Sequence, residues 1–107
     1  MWFARWYQEE FDPNVPEHVE KLRMAAEGWE FKWLAADLYA DYLLRIVKDY
    51  AGAANWYCIA ASEGENGDVL SYLRSLPDKE IYLALERDDI QTAIQRLTDY
   101  FYSLDKQ

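Results

Sequence analysis

The sequence is poor in the residues from which staples, metal sites and simple catalytic centres are made. It has one cysteine, Cys58, and one histidine, His18, in 107 residues. A single cysteine excludes any disulfide framework within the chain. Its neighbours Trp56, Tyr57 and Ile59 mark it as a small core residue, which fits a reducing compartment. A structural zinc site takes four Cys or His ligands, and a helical di-iron site of the Glu-x-x-His type takes two histidines. Neither set is present, so no metal and no cofactor is expected. His18 and Cys58 have no sequence relation suggesting a nucleophile and its base, and no catalytic residue is assigned. With four glycines there is no phosphate-binding loop. Glu63, Glu65 and Asp68, beside Gly64 and Gly67, lack the spacing of a calcium loop.

Long apolar runs are absent too. The first one stops at Arg5, which does not read as a signal peptide, and none is long enough to span a bilayer. The expected location is therefore cytoplasmic. Basic residues are scarce: eleven against twenty acids, a net charge of −9. Residues 1–53 hold ten acids and six bases and residues 54–107 ten and five, so the acidity is no tail. Such a surface disfavours direct contact with nucleic acid or an anionic membrane. It serves solubility, and it suits a cationic partner.

What the chain does have is apolar and aromatic mass. Hydrophobic residues make up 51% and aromatics 17%, with five Trp and nine Tyr. That is enough to build one domain over 1–107 around a real core. Residues 2–11 space Trp2, Phe3, Trp6, Tyr7 and Phe11 as one face of a short helix. Pro13 and Pro16 break the chain, and Pro16 suits the first turn of the next helix. From Val19 to Tyr50 one apolar register continues through Leu22, Ala26, Trp29, Trp33, Ala36, Ala40, Leu43 and Val47. Between 29 and 47 the remaining faces are also largely apolar, which describes a buried central helix with Trp29 and Trp33 in its core register. Gly28 predicts a break before it, and Gly52 a stop after it. Residues 54–62 fit helix or strand. Residues 63–67 form a loop, Asp68 caps a helix to Leu76, and further helices cover 78–87 and 89–104, with Asp88 and Gln91 as a capping pair. The fold class is all-α, a compact bundle of five or six helices around a central helix at 29–50. The alternative is α+β, with a small sheet from 2–8, 55–61 and 80–86.

Two features exceed what a plain bundle needs. The central helix keeps a polar stripe of Glu30, Asp37 and Asp41, ending at Lys48. Asp37 and Asp41 lie one turn apart, a mildly unfavourable pairing of like charges that Arg45, a turn further on, can relieve. Over 11 residues the stripe from Glu30 to Asp41 is about 16 Å long, enough to face several basic side chains. Residues 50–73 contain no Lys or Arg, and their only charges are Glu63, Glu65 and Asp68. A solvated helix edge and a solvated connector explain both in plain terms. The functional reading is an acidic partner-binding surface made of Glu30, Asp37, Asp41, Glu63, Glu65 and Asp68.

The composition suggests a small acidic binding or inhibitor protein, of the immunity or phage-inhibitor class, that neutralises a basic protein, plausibly one that handles nucleic acid. Acidic surfaces steer association with positive clefts, and surplus Trp and Tyr anchor contacts. This is analogy at the level of class. The alternative is a structural or assembly subunit without catalysis, acting through an aromatic interface, with a homodimer through Trp2, Phe3 and Trp6 as one form.

Overall fold

A computed structural model describes residues 2–28, 32–62 and 67–106, and the side chains of 5–28, 35–62 and 67–106. The fold is all-α. Among the described residues there are seven α-helices and no strand: α1 (Trp2–Glu10), α2 (Pro16–Glu27), α3 (Lys32–Tyr42), α4 (Tyr50–Ser62), α5 (Gly67–Ser75), α6 (Glu80–Glu86) and α7 (Ile90–Asp105). A π-helical turn, Leu43–Val47, continues α3. The segments of the alternative sheet, 2–8, 55–61 and 80–86, lie within α1, α4 and α6.

Neighbouring helices follow the order α2, α3, α4, α7, α6, and α5 touches α4 and α6. The result is a slab of 36 × 31 × 19 Å. Each neighbour pair has a reason in the sequence. Ala36 and Ala40 of α3 and Ala53, Ala54, Ala60 and Ala61 of α4 are buried in one cluster. Small side chains at these positions let the two helices approach closely. α4 then turns Tyr57 and Cys58 into the main core, where Val69, Leu73, Leu76, Ile81, Ala84, Ala93, Leu97 and Phe101 meet them. α7 contributes Ala93, Leu97 and Phe101 at intervals of four, the stripe of an amphipathic helix.

The expected central helix at 29–50 is divided in two. After Tyr42 the chain opens into the π turn, and Lys48 takes a left-handed conformation at φ 65°. The Leu43 carbonyl accepts from the backbone N–H groups of both Lys48 and Asp49, which closes the helix. Asp49 then starts α4: its carbonyl accepts from Ala53 N at 2.9 Å and its Oδ1 from Gly52 N at 3.0 Å. Gly52 is therefore no stop. It lies in the first turn of α4, and a Cβ there would come within 2.5 Å of Asp49 Oδ2. The centre of the fold is the α3–α4 pair, joined by residues 48–49 in an αα-hairpin.

Other boundaries follow the sequence closely. Pro16 opens α2 and Gly28 closes it in an extended conformation. The cap of α7 is Asp89, whose side chain accepts from Thr92 N at 3.3 Å, one residue later than the expected pair at Asp88. Asp88 instead makes the left-handed turn from α6, at φ 60°. Asp78 clamps this region by a two-pronged bond from Arg96, Nε at 2.8 Å and a terminal guanidinium nitrogen at 3.0 Å.

A second, smaller cluster holds the N-terminal part. Trp6, Leu22, Ala26 and Ala35 are its buried residues, with Tyr7, Phe11 and Leu38 around them. Trp6 meets Phe11 and His18 edge-on, each with ring centroids 5.9 Å apart, and Lys21 Nζ lies 4.3 Å from its ring centroid. His18 Nδ1 accepts from Asp12 N at 3.1 Å, tying the connection to α2. Trp29 lies outside the described residues and the Trp33 side chain outside the described side chains.

Candidate functional site

α3 is buried on its alanine face, so its opposite edge carries its polar side chains. Asp37 and Asp41 stand there one turn apart, both half-buried. The π turn carries Leu44 and Arg45 onward from that edge, and Arg45 Nε donates to Asp41 Oδ1 at 2.6 Å. The like-charge pair is thus relieved by the guanidinium one turn beyond Asp41, the i,i+4 arrangement that favours an ion pair. Exposure limits what such a pair adds to stability.

α5 brings the second acidic segment to this edge. Asp37, Leu44, Arg45, Tyr57, Asp68, Val69 and Tyr72 line one cleft of about 200 Å³. Asp37 and Asp68, 31 positions apart in sequence, therefore share one hollow. α5 sets this up: Val69 and Leu73 are its buried anchors, and Asp68 and Tyr72 flank them on the cleft side. Asp68 lies in the first turn of α5, where an acid suits the positive helix end.

The floor is phenolic. Tyr57 is buried, and its ring lies 5.7 Å from that of Tyr72 at a tilt of 43°. Burial pushes the Tyr57 hydroxyl well above the ordinary phenol range, and the negative charges of Asp41 and Asp37 push it further. Tyr72 is raised by burial and by Tyr100. Tyr7, on α1, is raised by burial and then by Asp41. The phenols accordingly remain protonated and neutral, able to donate a hydrogen bond toward an acceptor. Two carboxylates, Asp37 and Asp68, line the cleft with the Arg45 guanidinium, which Asp41 beside the cleft already pairs.

Of the sequence-derived acidic residues, the structure brings Asp37, Asp41 and Asp68 to one edge. Glu30, Glu63 and Glu65 lie outside the described residues. The side chains of Trp2 and Phe3 lie outside the described side chains, and Trp6 is buried in the chain's own N-terminal cluster, 8% exposed. Tyr57 and Tyr72 were missed. Tyr72 could have been found from its place four residues after Asp68 on a helix. Tyr57 could not, because 54–62 fitted helix and strand equally. Among the described residues no group of three His, Cys, Asp or Glu is arranged to hold a metal ion. No described helix is long and apolar enough to cross a membrane.

A cleft of this size is smaller than the roughly 300–1,000 Å³ that small-molecule sites occupy, and matches a single inserted side chain better than a cofactor. A broader hollow over Pro16, Glu17, Glu20, Lys21 and Met24 is lined, among the described residues, by α2. No protein-family model matches the chain, and no curated protein or solved structure is significantly similar to it.

Proposed function

We propose that this chain is a non-catalytic binding protein that neutralises a basic protein partner, taking an arginine or lysine side chain of that partner into the cleft lined by Asp37 and Asp68, beside the Asp41–Arg45 pair. The observation that carries the reading is the convergence of Asp37 and Asp68 on one hollow with Tyr57 and Tyr72. A guanidinium is planar, is charged at all working pH values, pairs with carboxylates through two bonds and stacks on phenol rings. The cleft brings together the residue types for each of these contacts, two carboxylates and two phenol rings. Arg45 already holds a guanidinium against Asp41, which supports the fit of that group to this edge.

The net charge of −9 acts at longer range. It raises the encounter rate with a positive surface and occupies the space that phosphates would otherwise take. Nucleic acid itself is repelled, so the partner is a basic protein and plausibly one that works on nucleic acid.

The test is affinity capture from cells of the native host, using the wild-type chain and the double variant Asp37→Asn/Asp68→Asn. A basic protein retained by wild type at low salt, lost from the double variant and eluted by added salt supports the proposal. Both substitutions keep the side-chain shape, so circular dichroism should be unchanged. Equal retention by both chains, or partners without a basic surface, would refute it.

A further inference from the structure

Exposed large hydrophobic side chains lie on two elements that meet at a second hollow. Ile46 and Val47, 57% and 50% exposed, are on the π turn; Tyr102 and Leu104, 50% and 42% exposed, are on the last turn of α7. A groove of about 540 Å³ runs between these elements. Leu44, Arg45, Lys48 and Tyr50 line it from the π turn and the start of α4, and Phe101, Leu104 and Asp105 line it from α7. Tyr50 ties the walls together, its hydroxyl donating to Asp105 Oδ1 at 2.8 Å.

We propose that this groove is the face through which two copies of the chain associate. The argument is charge complementarity. In a two-fold dimer a surface meets its own image, so it must complement itself. Here one wall is basic, with Arg45 and Lys48, and the other carries Asp105. Arg45 is engaged by Asp41, whereas Lys48 is exposed and makes no ion pair among the described residues. A two-fold rotation lays the end of each α7 on the π turn of the other copy. Asp105 then meets Lys48 twice, and Ile46, Val47 and Leu104 are covered. A partner of one charge sign would suit one wall and oppose the other, while a second copy suits both. The rest of the surface is acidic, so the copies repel at long range, and an interface at a locally balanced end is where that repulsion is least.

The groove shares Leu44 and Arg45 with the acidic cleft, but the contacts proposed here are made by Lys48, Asp105 and the apolar side chains, so substitution separates the two. Added salt screens both the Lys48–Asp105 pairs and the long-range repulsion between two chains of −9, so the variants and not the salt are decisive. The experiment is sedimentation of the full chain over a range of concentration. The expected result is a reversible doubling of mass. Leu104→Glu and Val47→Glu should each give monomer. Lys48→Glu alone and Asp105→Lys alone should each weaken the dimer about tenfold or more. An equimolar mixture of those two variants should regain it, because each then meets its opposite, and circular dichroism checks that both are folded. A wild-type chain that stays monomeric to millimolar concentration overturns the proposal. So does a dimer indifferent to Leu104→Glu, or a mixture that fails to associate.

Discussion

The molecule holds two cores built on different terms. The N-terminal one is made of rings meeting edge-on around Trp6, with few fully buried aliphatic side chains; among the described residues these are Leu22, Ala26 and Ala35. The larger one packs alanine seams between α3 and α4 and fills the space beyond with Leu73, Ile81, Leu97 and Phe101. Tyr39, Tyr42 and Trp56 pack against both and form the joint. Stability follows buried apolar area, so the two should not open together. Rings with polar edges suit a boundary that tolerates partial exposure, while alanine seams fix helix spacing and tolerate nothing larger.

The largest effects test that division directly. Phe101→Ala should cost about 3–5 kcal/mol, and Leu22→Ala should fall toward the low end of about 2–5 kcal/mol, because its cluster can collapse. Thermal unfolding measures both. Hydrogen exchange should show α1 and α2 opening before α4 and α7 in wild type, with Leu22→Ala widening the gap. Uniform protection across both regions would merge the two cores into one.

Capping gives the next pair. α7 begins at Asp89, which caps its helix, whereas α2 begins at Val15, which makes no side-chain cap bond. Asp89→Ala should lower the melting temperature, and Val15→Ser should strengthen α2 by about 1 kcal/mol, narrowing the difference between the regions. Exchange rates of α2 amides decide whether the gain is local.

Acid should act on the larger region. The bond from Arg96 holds the Asp78 carboxyl below its ordinary range, and Thr92 does the same for Asp89. A carboxyl lowered on folding contributes above its unfolded value, about pH 3.9, and that contribution is lost as pH falls through the folded value. Melting temperature should thus begin to fall below about pH 4, with Asp78→Asn reducing the slope. Both groups are exposed enough that the effect is modest.

The smallest effect is a near cancellation. Gly52→Ala should gain about 1 kcal/mol of helix propensity and lose about the same by displacing the Asp49 cap, giving little net change. In an Asp49→Ala background the same substitution should stabilise. A cycle of the four proteins measures the coupling.

Much of this fold could be read from the periodicity. In the register from Val19 to Tyr50, Leu22, Ala26, Ala36, Ala40, Leu43 and Tyr50 are buried as expected. Val47 departs from it, because the π turn and Lys48 end the helix before that side chain reaches the core. Tyr50 kept the register alive misleadingly: it is buried from the start of the next helix. The cue was Asp49 three residues before Gly52, a cap and its seat, which reads as a helix start once the glycine is not taken for a stop. The spacing of Asp37 and Asp41 made the acidic edge legible. Its meeting with Asp68 was not, since that depends on how α4 and α5 pack and local pattern carries no such information.

Cys58, inside the main core, has a consequence for handling and measurement. It is fully buried, and burial pushes its thiol up to about 12, so almost none is thiolate at neutral pH. The folded chain should therefore resist air oxidation and intermolecular disulfide formation without added reductant. The same thiol, being the chain's single one, becomes a clock. An aromatic disulfide reagent can reach it only when α4 parts from its neighbours, so at high reagent concentration the labelling rate equals the rate at which the main core opens.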